Sequence, residues 1–179
     1  MCRKSVPGAT TTLPESSVNP VSPSQWLARW LAAGLGSGWL PKMPGTWGSL
    51  ACLPVAWLLV AGAGAAWLLV ASLLLLLLGC VVCASVLPTL AEDDPGWIVI
   101  DEWAGQWLAL GMVAMFFGLS VLNVVLAFAA FRLFDVVKPF PIRELEHWGP
   151  AWWAIMADDM MAGLMGGCLV LAGLSFWEA

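Results

Sequence analysis

Long uncharged stretches alternate along the chain with short segments that hold nearly all of its charged side chains. The uncharged stretches are residues 43–91, 103–131 and 160–177. A transmembrane α-helix needs about 17–25 predominantly apolar residues, and a helix satisfies its own backbone hydrogen bonds in lipid. The pattern therefore predicts an all-α, polytopic membrane protein.

Glycine and proline divide the uncharged stretches into separate helices. Gly62-Ala-Gly64 and Gly118-Leu-Ser120 interrupt apolar runs, and Lys138-Pro-Phe-Pro141 ends one because proline cannot continue a helix. The predicted helices cover residues 49–61, residues 65–87, residues 101–117, the segment that follows Ser120 and ends at about Val137, and residues 153–176. We therefore predict a helical bundle of four to five apolar helices, the first of them short or half-inserted.

The amino-terminal part of the chain has a different pattern. Residues 1–25 are rich in Ser, Thr and Pro, which predicts a disordered tail before one membrane-embedded domain at 26–179. Residues 25–35 predict a short amphipathic helix that lies flat at the interface, because Arg29 falls in its middle. Residues 36–49 are rich in Gly and Pro and predict an irregular loop, with Thr46 or Ser49 capping the next helix.

The composition supports a membrane environment and argues against other partners. The chain is 61% hydrophobic and 11% charged, whereas soluble domains are about 45–50% apolar and about 25% charged. Thirteen Trp residues and no Tyr suit membrane interfaces. The net charge of −5 argues against nucleic acid. The five cysteines suggest no disulfide framework, since Cys80 and Cys83 lie inside an apolar run.

Several charged side chains lie at the ends of apolar runs, where they are costly to place. An ionised side chain at a helix centre in lipid costs about 2.5–3.5 kcal/mol, and less near the interface. An acidic pair can instead complement the helix dipole in a first turn. That alternative suits each pair alone but not Asp135, which is near a helix carboxyl end and framed by Arg132 and Lys138 on one face. The charged residues in question are Asp101, Glu102, Arg132, Asp135, Asp158 and Asp159.

Two glycines predict that the carboxylates meet. Gly105 follows Asp101 at i+4, and Gly163 follows Asp159 at i+4. Helices that pack through glycine approach closely, and clustered carboxylates suit a hard cation such as Mg²⁺. The predicted metal ligands are Asp101, Glu102, Asp135, Asp158 and Asp159. The predicted phosphate-binding residues are Lys42, Gly45, Thr46, Ser49, Arg132, Lys138 and Arg143.

Four segments together resemble one protein family, the phosphatidylglycerophosphatase A family. The resemblance runs from about residue 30 to 175, and its segments are residues 36–49, Asp101-Glu-Trp-Ala-Gly105, residues 131–142 and Asp158-Asp-Met-Met-Ala-Gly163. It implies Mg²⁺-dependent hydrolysis of phosphatidylglycerophosphate to phosphatidylglycerol and phosphate. It also implies a multi-pass protein of the bacterial inner membrane with its active site facing the cytoplasm.

The same residues suggest a mechanism. Lys138 and Arg132 would stabilise phosphoryl charge, and Asp101 or Asp159 would take the proton of the attacking water, although a covalent aspartyl-phosphate is also open. The single His147 does not provide the pair of histidines that histidine-based lipid phosphatases use. The alternatives are a phosphatidyltransferase and a small cation transporter that uses the same carboxylates.

The distribution of basic residues predicts the orientation. Arg3, Lys4, Arg29 and Lys42 precede the first apolar run, and Lys138 and Arg143 lie in a later polar loop. Positive residues favour the cytoplasmic side. The amino terminus and the loop at 138–147 are therefore predicted to face the cytoplasm.

Overall fold

The computed structural model describes residues 22–92 and 94–178, which form seven α-helices and no strand. The helices are α1 (Pro23–Ala32), α2 (Pro44–Ala63), α3 (Ala65–Val86), α4 (Ile100–Phe117), α5 (Val121–Val137), α6 (Ile142–Leu145) and α7 (Ala151–Glu178). Short 3-10 turns cover Ser37–Trp39 and Leu87–Thr89. The prediction of an all-α bundle is confirmed. Most of the predicted tail at 1–25 lies outside the described residues.

Three of the described helices are long and apolar enough to cross a membrane. They cover Pro44–Ala63, Ala65–Thr89 and Ala151–Glu178. Their outer faces carry exposed apolar side chains, among them Leu58, Leu77 and Leu169. Apolar surface of this extent is stable against lipid and not against water. The protein is therefore membrane-associated.

Helix α4 forms the centre of the bundle. It packs against α2, α3, α5 and α7. Ala109, Leu110 and Val113 on α4 are completely buried. The helix ends at Phe117 and is followed by Gly118, where φ is 72°. Only glycine adopts such a backbone conformation without strain. The predicted break after Phe117 is confirmed.

Helices α4, α5 and α7 make main-chain contact through glycines. A Cβ on Gly105 would overlap the carbonyl oxygen of Asp159, and one on Gly163 would overlap the carbonyl oxygen of Gly105. A Cβ on Gly166 would lie 2.9 Å from the backbone nitrogen of Phe131 on α5. The predicted close approach through Gly105 and Gly163 is confirmed.

Helix α2 is longer than the sequence predicts. It begins at Pro44, where the missing N–H of proline costs nothing in a first turn. Its 20 residues are enough to span a membrane, so the expectation of a short first helix was wrong. The predicted irregular loop at 36–49 is also wrong in part, because it contains a 3-10 turn and the start of α2.

The predicted cap of α2 is corrected as well. Thr46 and Ser49 lie inside the helix, and its cap residue is Met43, which makes no side-chain capping bond. The Ser49 hydroxyl instead donates to the carbonyl oxygen of Gly45 at 2.8 Å. A hydroxyl that bonds back along its own helix cannot cap it.

Helix α1 begins two residues before the prediction. Ser22 and Gln25 form a capping box at its start, and Pro23 occupies the first helical position. Trp26 and Leu27 are exposed, with 56% and 58% of their surface accessible. An exposed apolar face on a short helix suits the surface of a membrane.

Candidate active site

A polar cavity of about 390 Å³ lies at one end of the bundle. It is formed where α2 and α4 begin, where α5 ends and where the first turns of α7 pass. Its walls are Pro44, Gly45, Asp94, Gly96, Ile98, Asp101, Glu102, Arg132, Asp135, Val136, Lys138, Ile155, Asp158 and Asp159. Five carboxylates predicted to bind metal are therefore gathered around one space.

Three of these carboxylates are close enough to share one cation. One oxygen from each of Asp101, Glu102 and Asp159 lies within 4.8 Å of the others. Asp101 and Asp159 are buried, with 8% and 4% of their surface exposed. Oxygen Oε2 of Glu102 is buried and has no hydrogen-bond partner among the described residues. Two buried carboxylates and a half-buried one with a free acceptor fit a hard divalent cation.

The helix geometry explains how this cluster forms. Asp101 and Glu102 lie in the first turn of α4, where the helix dipole favours negative charge. Asp101 also accepts a hydrogen bond from the backbone N–H of Glu102 at 2.9 Å. Asp159 comes from α7, and Gly105 allows its backbone to touch α4. A side chain at Gly105 would separate the carboxylates.

Arg132 forms one cationic wall of the cavity. Its Nη1 lies 2.5 Å from Asp135, and the two side chains are 17% and 13% exposed. Nη1 also donates to the Ser49 hydroxyl at 3.4 Å. Gly45 provides the room for this arrangement, because a Cβ there would overlap the Glu102 carboxylate and lie 3.2 Å from Arg132 Nη1. Arg132 is thereby held beside the acidic cluster.

Lys138 forms the second cationic wall. Its ammonium donates to Asp158 at 2.8 Å and to Glu146 at 2.5 Å. Burial lowers the pKa of Lys138, but the hydrogen bonds to Asp158 and Glu146 outweigh it and hold that pKa above its ordinary value. Burial raises the pKa of Asp94, and the charge of Lys138 partly offsets the rise. These two carboxylates therefore favour the charged form of Lys138 in the cavity wall.

Sequence comparisons place this arrangement in a known family. The profile of the family described as "Phosphatidylglycerophosphatase A" matches residues 30–174. The chain belongs to the phosphatidylglycerophosphatase A family. Membership confirms the predicted resemblance, and the family consists of phosphatase enzymes.

Curated relatives cover most of the chain. It is 37% identical to phosphatidylglycerophosphatase A of Haemophilus influenzae over 82% of this chain and 88% of the relative. It is 35% identical to phosphatidylglycerophosphatase A of Escherichia coli over 75% of this chain and 76% of the relative. A Bacteroides thetaiotaomicron protein, provisionally named a phosphatidylinositol-3-phosphatase, is 31% identical over 82% of this chain and 92% of its own length. No solved structure gives a significant match.

The structure does not bring every predicted phosphate-binding residue to the cavity of this family member. Gly45, Arg132 and Lys138 line the cavity. Ser49 does not line it, but its hydroxyl accepts a hydrogen bond from Arg132. Lys42 and Arg143 are exposed and do not line it, and neither does the half-buried Thr46. His147 is also exposed outside the cavity.

Some residues at the site were not predicted. Asp94 lines the cavity from the loop before α4, and Glu146 holds Lys138 from beyond α6. The sequence could have indicated Asp94 as a site residue, because it belongs to an acidic loop and lies seven positions before Asp101. Gln106, which does not line the cavity, is completely buried one turn after Glu102, and its amide atoms have no partner among the described residues.

Proposed function

We propose that the protein hydrolyses phosphatidylglycerophosphate to phosphatidylglycerol and phosphate, with Mg²⁺, as a step of phospholipid biosynthesis. The observation that carries the proposal is one cavity in which Asp101, Glu102 and Asp159 face Arg132 and Lys138. Acidic side chains beside fixed cations suit a phosphate monoester together with a metal. The names of the Haemophilus and Escherichia relatives support the choice of substrate.

The metal would be held by Asp101, Glu102 and Asp159, whose oxygens converge. Asp135 and Asp158 line the same cavity as further candidate ligands, although each is paired with a cation. When bound, Mg²⁺ supplies charge neutralisation for phosphate oxygens and makes water easier to deprotonate.

The cations of the chain would stabilise the transferring phosphoryl group. Arg132 and Lys138 are each fixed by a carboxylate, at 2.5 Å from Asp135 and 2.8 Å from Asp158. Cations that are positioned before the substrate arrives need no reorganisation as charge develops on the phosphoryl oxygens. Asp135 and Asp158 would then act as positioning residues for the two cations.

A carboxylate of the cluster would accept the proton of the attacking water. Asp101 and Asp159 are the candidates, since both are buried in the cavity wall and come from different helices. A general base of this kind contributes about 10²–10⁴-fold to the rate. The proton acceptor and the two cations would thus surround one phosphate.

The position of the cavity suits a substrate that stays in the bilayer. The cavity lies at the end of the bundle, and the polar head of a phospholipid lies at the end of a spanning helix. Lys42, Lys138 and Arg143 occur in segments at this end, whereas the turns at 62–66 and 117–122 contain no Lys or Arg. This asymmetry supports an inner-membrane protein with the cavity on the cytoplasmic side.

Phosphate release from phosphatidylglycerophosphate by the purified chain, with and without Mg²⁺, tests the proposal. We expect Mg²⁺-dependent release by the parent protein, none by Asp159→Asn, and normal release by Glu144→Gln, which changes an exposed acid outside the cavity. If Asp159→Asn released phosphate as fast as the parent protein, Asp159 would have no part in the reaction. Ion flux without hydrolysis would favour the transporter, and transfer of a phosphatidyl group to an alcohol would favour the transferase.

Phosphatidylinositol 3-phosphate is the second candidate substrate. The name of the Bacteroides relative favours it, and its phosphate is also a monoester on a lipid headgroup. The same assay with both lipids separates the candidates. A higher kcat/KM for the inositol lipid would identify phosphatidylinositol 3-phosphate, and not phosphatidylglycerophosphate, as the preferred substrate.

A further inference from the structure

We propose that an apolar groove between α5 and α7 binds one acyl chain of the lipid whose phosphate occupies the polar cavity. This proposal rests on the proposed function for the identity of the lipid. The groove has a volume of about 570 Å³. Its walls include Leu122, Leu126 and Leu133 of α5, and Leu169, Gly173 and Leu174 of α7.

On α5 the groove begins one helical turn from the polar cavity. Val136 lines the cavity, and Leu133 lines the groove. Residues three apart are neighbours on a helix surface, and both side chains are exposed. A molecule with a polar head in the cavity can therefore continue past Val136 and Leu133 into the groove.

The same two helices supply the walls of both spaces. Helix α5 carries Arg132 and Asp135 in the cavity, and α7 carries Asp158 and Asp159. Further along, the two helices line the apolar groove. A ligand with a phosphate at one end and a hydrocarbon at the other matches this order of a polar and an apolar surface. A second copy of the protein could cover the apolar groove, but it would not require a polar cavity beside it.

The length of the groove suits an acyl chain. Leu122 and Leu133 are eleven residues apart on α5, which is about 16 Å at a rise of about 1.5 Å per residue. One leaflet is about half of the roughly 30 Å hydrocarbon core. The groove is therefore about as long as one acyl chain, and its α5 wall begins one helical turn from Val136 of the cavity.

The groove would act mainly by orienting the lipid. Moving an acyl chain from lipid to an apolar groove gains little hydrophobic free energy, because both surroundings are apolar. A fixed chain, however, fixes the direction in which the headgroup enters the cavity. Misplacement of a substrate by about 1 Å can cost about 100-fold in rate, so this restraint affects catalysis.

Gly173 allows a direct test, because a Cβ added there meets no atom of the described residues within 4 Å. Gly173→Leu should fill the groove without disturbing the helix contacts. Gly62→Leu is a matched control. Gly62 is also exposed and helical, and in the part of the chain that the structure describes no atom would lie within 4 Å of its Cβ. It lies on α2, outside the groove.

The kinetic experiment compares long-chain phosphatidylglycerophosphate with its water-soluble dibutanoyl form, using the full chain in detergent with Mg²⁺. We expect Gly173→Leu to lower kcat/KM for the long-chain lipid by about tenfold and to leave the dibutanoyl rate within about twofold of the parent. Gly62→Leu should change neither rate. An unchanged long-chain rate in Gly173→Leu, or an equal loss on both substrates, would overturn the proposal.

A binding experiment tests the groove without activity. A phosphatidylglycerol with a diazirine in one acyl chain, photolysed with the protein, should label peptides of α5 and α7 in the parent and in Gly62→Leu, and label them weakly in Gly173→Leu. Labelling without hydrolysis of any phospholipid would reject the proposed function and retain the groove. Equal labelling of all three proteins would reject the groove. A parent dimer that becomes a monomer in Gly173→Leu would assign the groove to a second copy and also reject it.

Discussion

Gly163 of α7 packs directly on the main-chain carbonyl of Gly105 of α4, so closely that a Cβ on Gly163 would overlap that oxygen. Gly105 in turn leaves no room for a Cβ beside the carbonyl oxygen of Asp159. These contacts bring the first turn of α4 and its two acids beside Asp159. The short distance from Asp159 to the two acids of α4 therefore requires glycine at positions 105 and 163.

Gly105→Ala and Gly163→Ala are expected to lower both stability and activity. Each methyl group forces the helices apart, and overpacking of this kind costs about 1–3 kcal/mol. Thermal unfolding in detergent and phosphate release measure the two effects. Gly62→Ala, at a position with open space, should retain the parent Tm and rate. A parent-like Gly105→Ala would mean that the helix contact does not set the carboxylate geometry.

Mg²⁺ is expected to stabilise the parent protein through the Asp101, Glu102 and Asp159 cluster. A ligand that binds only the folded state adds about 2.7 kcal/mol at 100 times its Kd, so Tm should rise with added Mg²⁺ and fall with a chelator. The rise should disappear in Glu102→Gln and persist in Glu144→Gln. Equal Mg²⁺ stabilisation of Glu102→Gln would place the cation elsewhere.

Arg132 is expected to contribute to activity beyond its role as the partner of Asp135. Arg132→Gln leaves the Asp135 carboxylate, which is 13% exposed, without its cation, and we expect a loss of up to about 3 kcal/mol in stability. The double variant Arg132→Gln/Asp135→Asn should recover most of the stability but remain about 100-fold less active than Asp135→Asn alone. Recovery of activity as well as Tm in the double variant would give Arg132 a structural role alone.

Lys138 is expected to act through its charge. Lys138→Gln should lower kcat about 100-fold, and Lys138→Arg should retain more activity because it keeps a cation beside Asp158. Glu146→Gln removes one of the two anions that hold the ammonium, so we expect a change of no more than about threefold. If Glu146→Gln lost as much activity as Lys138→Gln, the ion pair between Lys138 and Glu146, and not the ammonium charge alone, would be required for activity.

Lys42 and Arg143 are expected to attract the substrate from outside the cavity. Both are exposed and absent from its walls, so their effect must act over a distance and be screened by salt. Lys42→Gln and Arg143→Gln should mainly raise KM at low ionic strength, and the difference should shrink at about 0.5 M salt, where the Debye length is well below 10 Å. A loss of kcat that does not depend on salt would indicate direct contact with the phosphate.

The amino-acid pattern alone determined the apolar helices and most of the charged residues that line the cavity. Uncharged stretches long enough to span predict the helices independently of tertiary packing, because the cost of a charge in lipid acts on each segment separately. The break at Gly118 follows from local chemistry in the same way. The helical spacing of Asp101 to Gly105 and of Asp159 to Gly163 also indicated where two helices approach each other.

Tertiary structure decided where the first spanning helix begins and which predicted cations reach the cavity. The Gly and Pro content of 36–49 indicated a loop, yet α2 begins at Pro44, and its early turns pack where a Cβ on Gly48 would lie 2.7 Å from Val99 Cβ. Arg132 and Lys138 face the acids, whereas Lys42 and Arg143 do not line the cavity. Spacing along one helix fixes which residues share a face, but the direction of that face depends on contacts with helices distant in the chain.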